Sequence, residues 1–477
     1  MSCLPKRLER MRSIPQFLIA APASGSGKTT VSRGLMALLV RKGFKVQPFK
    51  CGPDYIDTKY HTAMCHRPSI NLDTFMASEE HVQELYARYS ADADVVVAEG
   101  MMGMFDGYDR SRGSSAEIAE LLHLPVVLVV DAKSAAYSMA PLLSGFIHFR
   151  PEVKIAGILF NRVGSPRHYE MLQEVCSDLN VTCLGYLPKQ KLLEQDTRYL
   201  GLDFSHLKDM EVNTLADLLE QYVDWQLLLN ATMRPLPERK NEKTETDNRK
   251  LHITVACNEE SFSFLYAEHL DILQRMGTVT LFNPEENLPL PQDTDLLYLP
   301  GGYPEKHADR LSAARCTLKS IREYIEAGGK ALAECGGMMY LSQAISCDAE
   351  SMQSADRRMV HRMVGVFPFY ISAETHDKKL SLGYRQFQYN GKQLRGHEFH
   401  YTQFGKKGLA YTECFKDYEG DCLPEDEGNC MLNLPDSVAQ VYNAKGQPVT
   451  TLVFRYKNVI ASYTHLYWGE TDPLSLF

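Results

Sequence analysis

Ala21-Pro22-Ala23-Ser24-Gly25-Ser26-Gly27-Lys28-Thr29-Thr30 follows an apolar run at residues 17–21 and opens a stretch, residues 28–41, with one apolar helical face. A phosphate loop in that setting constrains the chain more than any other feature. It requires a strand buried in a parallel sheet and a helix N-terminus aimed at an anion. Small residues let backbone N–H groups close around phosphate oxygens. Lys28 is placed to reach the β- and γ-phosphates, and the Thr29 hydroxyl to reach Mg2+. Ser24, Gly25, Ser26, Gly27 and Thr30 complete the expected nucleotide-binding loop. The strict pattern has a glycine five places before Gly27; Pro22 stands there, with Gly25 supplying freedom nearby.

The rest of the first half obeys that constraint. Residues 45–49, 94–98, 125–131, 154–160 and 182–186 read as strands, several of them continuous β-branched runs suited to burial on both faces of a parallel sheet. The pattern is a doubly wound α/β domain. Residues 231–250 then shift to Pro235, Pro237 and a run of charged and polar residues that a core cannot accommodate. Alternation restarts with strands at 251–256, 295–299, 330–333 and 459–463 and helices at 262–276 and 318–327. The expected organisation is a P-loop domain at 14–230, a linker at 231–250 and a second α/β domain at 251–470. A length of 477 residues accommodates two large domains.

Composition excludes several classes. Hydrophobic residues are 44% and charged residues 23%, which is globular usage. Lys plus Arg number 51 against 60 acids, a net charge of −9, so a broad nucleic-acid footprint is absent. No apolar run approaches the roughly 20 residues that span a bilayer, and the start of the chain is not a secretory leader. None of the 12 cysteines forms a Cys-x-x-Cys pair; Cys414, Cys422 and Cys430 read as free thiols. The expected compartment is the reducing cytoplasm.

Two further strand ends carry acids. Glu99 follows Asp-Val-Val-Val-Ala, and ligands of open α/β sheets sit at such carboxyl ends, so Glu99 is placed to contact Mg2+ or its waters. Lys50-Cys51-Gly52-Pro53-Asp54-Tyr55-Ile56-Asp57 offers Asp54 and Asp57 beside a turn imposed by Gly-Pro. Three loops around one phosphate site define a metal–nucleotide centre.

In the second half, Ala-Leu-Ala-Glu334-Cys335-Gly336-Gly337 reads as strand, tight turn and helix, the mechanics of a nucleophile elbow. The helix N-terminus is expected to lower the Cys335 pKa. Gly336, and Gly302 in Leu-Pro-Gly-Gly-Tyr-Pro, are candidate oxyanion donors. His465, ending another strand, is the candidate base among 15 histidines. His397-Glu398-Phe399-His400 does not match a zinc motif, because a strand sends His397 and Glu398 to opposite faces. A structural or pocket role suits it better.

Together these motifs, with Asn71-Leu72-Asp73 and Ala-Glu-Gly-Met-Met-Gly-Met-Phe-Asp106-Gly, resemble the cobyrinic acid a,c-diamide synthases from about Phe17 to Trp468. These are glutamine-dependent amidotransferases of cobalamin biosynthesis, similar in their first half to dethiobiotin synthetase. The resemblance implies a class I glutamine amidotransferase-like second domain. There L-glutamine is hydrolysed at Cys335 and His465, while the P-loop half uses ATP and Mg2+ to amidate two acetate carboxylates of a corrinoid, cobyrinate. It also implies metal contacts by Thr29, Glu99 and Asp54, and substrate-side roles for Asp57 and Asp106. Ammonia is expected to pass between the domains by a shielded path. Many related glutaminases carry an acid two residues after the histidine; here Tyr467 stands there, and Glu470 is the candidate orienter. The partner expectation is a homodimer without nucleic acid or membrane. Rival readings are the same reaction on hydrogenobyrinate or nickel-sirohydrochlorin, amidation of other corrin side chains, and a P-loop switch ATPase with an inactive amidotransferase half.

Overall fold

The computed structural model describes residues 12–189, 209–237, 250–348, 358–405 and 434–477, and divides into two units at residues 1–244 and 245–477. Cys414, Cys422 and Cys430 lie outside the described residues, as does 238–249 of the expected linker.

In the first unit the strands are β1 (Ser13–Ala20), β2 (Val46–Cys51), β3 (Ile70–Leu72), β4 (Val95–Glu99), β5 (Val126–Asp131), β6 (Ile155–Val163), β7 (Cys183–Pro188) and β8 (Met233–Pro235). Seven form a parallel sheet in the order β3-β2-β4-β1-β5-β6-β7, and β8 adds antiparallel to β1. The helices are α1 (Lys28–Arg41), α2 (Ile56–Cys65), α3 (Glu79–Ser90), α4 (Ser115–Leu121), α5 (Met139–His148), α6 (Pro166–Asp178), α7 (Asp209–Tyr222) and α8 (Trp225–Ala231). The β-branched runs behave as their composition requires: Val95, Val96, Val97, Val126 and Val127 are fully buried. Each such side chain contributes about 1.5–3 kcal/mol on leaving water. Local chemistry sets the helix starts. Ser78, Ser114 and Ser165 accept main-chain N–H groups at the N-caps of α3, α4 and α6. The expected linker begins later than its composition suggests, because Ala231 closes α8 and Met233–Pro235 pairs with β1 through main-chain bonds indifferent to the two prolines flanking Leu236.

The second unit contributes β9 (Leu251–Ala256), β10 (Gly277–Phe282), β11 (Leu296–Leu299), β12 (Lys330–Glu334), β13 (Ala344–Asp348), β14 (Arg358–Arg362), β15 (Tyr370–Ser372), β16 (Ser381–Tyr389), β17 (Lys392–His400), β18 (Gln403–Phe404), β19 (Tyr442–Asn443), β20 (Val453–Tyr456), β21 (Val459–Ser462) and β22 (His465–Tyr467). The main sheet runs β10-β9-β11-β12-β21-β20, parallel except at β20; two four-stranded sheets, β14-β13-β15-β18 and β19-β16-β17-β22, complete the unit. Its helices are α9 (Ala267–Met276), α10 (Ala308–Ala313), α11 (Arg315–Glu326) and α12 (Gly336–Tyr340). Helix α9 starts five residues later than the periodicity predicts. The N–H groups of Ser263 and Phe264 donate instead to Gly301 O, at 2.9 and 3.0 Å, with Phe262 and Phe264 buried as loop anchors. Among the described residues no helix is long and apolar enough to cross a membrane.

Candidate active site

The phosphate loop joins β1 to α1 in the first unit. Gly25 and Gly27 have φ of 78° and 103°, a region open to glycine and costly for other residues. Gly27 is required a second way: a Cβ there would lie 2.1 Å from Asn161 Nδ2, which donates to Ser26 O at 2.9 Å. Ser26 Oγ donates to Ala23 O at 2.8 Å, while Ser24 and Gly25 are exposed and Thr30 is half-buried in the first turn of α1. Buried Lys28 donates Nζ to Met102 O. Burial, and then the neighbouring Lys50 ammonium, lower its pKa.

Glu99 ends β4 and is fully buried. Its Oε1 accepts the Thr29 hydroxyl at 2.8 Å and Lys50 Nζ at 2.9 Å; its Oε2 accepts His61 Nε2–H at 2.8 Å. Burial alone would raise its pKa, but Lys50 and His61 overcome that and hold it well below the carboxylate range. Lys50, also buried, donates to Asp57 Oδ2 at 2.6 Å, and Arg33 donates to Asp57 Oδ1 at 3.2 Å. Desolvation works against the Lys50 charge, yet Asp57 and Glu99 outweigh it and raise its pKa.

The predicted acids therefore separate. Thr29 and Glu99 are in contact. Asp54 uses Oδ1 to accept the N–H groups of Ile56 and Asp57, both at 2.8 Å, and so caps the first turn of α2. Burial, then Asp57, raises the Asp54 pKa. Asp57 is tied to two cations. Exposed Asp106 accepts Gly103 N–H at 3.1 Å across a tight turn. The Thr29 hydroxyl and the Glu99 carboxylate are hard oxygen donors that suit Mg2+, an ion that keeps waters and takes phosphate oxygens beside one or two protein ligands. Lys50 and His61 were not singled out by sequence reasoning. Both lie in the segment bearing Asp54 and Asp57, but their contact with Glu99 depends on β2 standing beside β4.

In the second unit Cys335 occupies the turn between β12 and α12 at φ 46°, ψ −104°, a strained position for a non-glycine residue. Its N–H donates to Ser462 O at 2.7 Å, and its Sγ lies 3.8 Å from Phe399 O. A Cβ on Gly337 would stand 2.0 Å from Leu299 O, and one on Gly336 would stand 2.9 Å from Gly302 N, so the two predicted oxyanion positions adjoin. A Cβ on Gly301 would stand 2.0 Å from His465 Cε1. The Gly301-Gly302 loop thus abuts both the elbow and the imidazole. Glu334, just before the cysteine, accepts Leu466 N–H, just after the histidine, at 3.2 Å.

Here one expectation fails. The Cys335 thiol is pushed well above its ordinary value, first by burial and then by the Glu305 carboxyl, with the Gly336 N–H only partly opposing. Helix α12 has five residues, too short a dipole to offset removal of the sulfur from water. His465, fully buried, is lowered to about 3 by desolvation and then by His397 and His400, with Glu398 opposing. The resting pair is a thiol and a neutral imidazole. The Tyr467 hydroxyl donates to Glu268 on α9, and Glu470 is exposed. Glu398 of β17 accepts Arg385 Nε–H at 2.7 Å, the Thr451 hydroxyl at 2.6 Å and His400 Nε2–H at 3.0 Å. His397 is the cross-strand partner of His465, on the face of β17 opposite Glu398 and His400.

Phosphate loop and thiol elbow on two parallel-sheet units define a nucleotide-binding domain joined to a glutamine amidotransferase. Family models agree: residues 17–200 match the CobQ/CobB/MinD/ParA nucleotide binding domain, and 252–473 the CobB/CobQ-like glutamine amidotransferase domain. The cobyrinate a,c-diamide synthase of Caldanaerobacter subterraneus subsp. tengcongensis is 41% identical over 403 residues, covering 81% of this chain and 86% of that protein. The one from Syntrophotalea carbinolica is 38% identical over 406 residues (82% and 86%), and the hydrogenobyrinate a,c-diamide synthase of Brucella anthropi 40% over 407 (83% and 90%). The chain belongs to this a,c-diamide synthase family.

Proposed function

We propose that the chain amidates the a and c acetate carboxylates of cobyrinate in cobalamin biosynthesis, using ATP and glutamine. A carboxylate is a poor acceptor for ammonia because oxide would have to leave. Attack of a substrate carboxylate oxygen on the γ-phosphorus of ATP forms an acyl phosphate and releases ADP. Ammonia then displaces phosphate to give the amide. Lys28 and the loop N–H groups offset charge on the phosphoryl group. Thr29 and Glu99 would hold Mg2+, which would supply positive charge to the nucleotide phosphates. Lys50, held by Asp57 and Glu99, would add a second positive charge to the nucleotide site, and Asp57 and Asp106 would take substrate-side roles.

At the elbow, His465 takes the Cys335 proton as sulfur attacks the glutamine carboxamide, with Gly302 and Gly336 N–H groups facing the developing oxyanion. The imidazolium returns the proton to the departing ammonia. Water hydrolyses the thioester to glutamate. A neutral imidazole suits this role, since it is ready to accept a proton at neutral pH.

The observation that carries the reading is the elbow itself: a strained Cys335 with Gly302 N at the next glycine and Gly301 against the His465 ring. The test is mass spectrometry of cobyrinate incubated with ATP and either glutamine or ammonium salt. Diamide formation from both is expected; no amidation from ammonium salt would remove the synthetase assignment. A second reading, hydrogenobyrinate as acceptor, is favoured by the relative at 40% identity bearing that name. A competition assay with equal cobyrinate and hydrogenobyrinate separates the two.

A further inference from the structure

The contacts of Glu99 divide between its oxygens. Oε1 faces the phosphate loop, where the Thr29 hydroxyl and Lys50 reach it. Oε2 faces away and is met by His61 of α2 at 2.8 Å. His61 is fully buried, and its Nδ1 lies 3.4 Å from the Ser69 hydroxyl, so one tautomer, with the proton on Nε2, satisfies both contacts. The terminal torsion of a glutamate is broad, and nothing intrinsic fixes the carboxylate plane. A hydrogen bond to one oxygen does fix it, and with it the place of the other.

We propose that His61 is a positioning residue: by donating Nε2–H to Oε2, it locks the Glu99 carboxylate so that Oε1 stands beside the Thr29 hydroxyl, where the divalent cation of the nucleotide is bound. The proposal rests on the reading of Thr29 and Glu99 as the metal-holding pair. It gives the segment from Asp54 to His61 one purpose. Asp54 caps the helix, Asp57 holds Lys50, and His61, one helical turn further on, holds Glu99 from behind.

The test uses the full chain with a fluorescent N-methylanthraniloyl ATP analogue, titrated with Mg2+. Asparagine and glutamine at position 61 are both polar amides, but only glutamine extends its nitrogen to about the place of Nε2. His61→Asn should raise the Mg2+ concentration for half-maximal signal by about tenfold or more, the usual scale for loss of an outer-shell partner. His61→Gln should recover most of that. Nucleotide affinity in EDTA and glutamine hydrolysis at Cys335 should stay at wild-type levels in both. Equal Mg2+ requirements in the two variants, or a matching loss of affinity in EDTA, would overturn the proposal. Glu99→Gln separates the layers. If it leaves the Mg2+ requirement unchanged, the metal reading fails and the role of His61 falls with it. If it raises the requirement while His61→Asn does not, the role of His61 alone is wrong.

Discussion

The two sites handle charge in opposite ways. Around Glu99 the protein buries ions and balances them against one another: Lys50 between Glu99 and Asp57, His61 behind, Lys28 alongside. At Cys335 and His465 burial instead favours the uncharged forms, a thiol and a neutral imidazole. The difference follows from the ligands. A nucleotide brings several negative charges, so its site must hold compensating cations in place beforehand. Glutamine brings an uncharged carboxamide, so the elbow needs charge only in the transition state, when proton transfer to His465 creates it.

The sharpest way to break this comparison is to remove one site's chemistry and ask whether the other notices. Cys335→Ala should abolish glutamine-dependent amidation, by at least about a thousandfold, while ammonium-dependent amidation persists near wild type; loss of both would show that the division of labour is wrong. Lys50→Met should reduce amidation from either nitrogen source by about a hundredfold. It should also cost about 3–5 kcal/mol in thermal or denaturant unfolding of the first unit, because Glu99 and Asp57 lose a buried counter-ion. Full stability in that variant would mean the ion network is not holding the site together. Gly301→Ala should cut glutaminase kcat by about a hundredfold, since its methyl would enter the place of His465 Cε1, with ammonium-dependent turnover spared.

The pH dependence sharpens the same contrast. With His465 held near 3, kcat/KM for glutamine should show no acid limb near the ordinary histidine value, and stay level from about pH 5.5 to 8. An inflection near 6.5 would indicate an imidazolium in the resting elbow and undo the neutral-pair description.

Local backbone chemistry was legible in the sequence. The phosphate loop, the β-branched strands and the glycines after Cys335 specify their turns through residues adjacent in the chain, so both sites could be placed before any tertiary contact was known. What escaped depends on strand order. Lys50 and His61 reach Glu99 only because β2 inserts beside β4, and a linear reading has no register for that. The late start of α9 has the same origin: Phe262 and Phe264 fit an apolar helical stripe, yet Gly301, far along the chain, claims the N–H groups of Ser263 and Phe264. The thiol's protonation state was misjudged because a helix N-terminus is a sequence-local feature and burial is not. The partner of Tyr467, Glu268, lies about 200 residues upstream and no spacing rule would find it.

The smallest effect concerns Glu334, whose carboxyl is pushed up to about 8 by burial, against the Tyr298 hydroxyl, the Leu466 N–H and Trp468. The ordinary value of 4.5 applies in the unfolded chain. Between those two values the folded state holds a proton that the unfolded state has lost, so stability of the second unit falls as pH rises through the window, by at most about 1.4 kcal/mol per pH unit. Glu398, held near 2, and His465, held near 3, have the opposite sign, and both have delivered their stabilisation by about pH 6.5. Above that pH the decline belongs to Glu334 and to Glu305, which is pushed up to about 7. Glu334→Gln keeps the shape and the acceptor for Leu466 N–H while removing the titration. Its Tm should therefore lie close to wild type near pH 5 and above it near pH 8, with glutaminase activity changed little. A parallel offset at both pH values would mean that Glu334 enters the fold already ionised, and that the elbow tolerates a buried charge beside Cys335 after all.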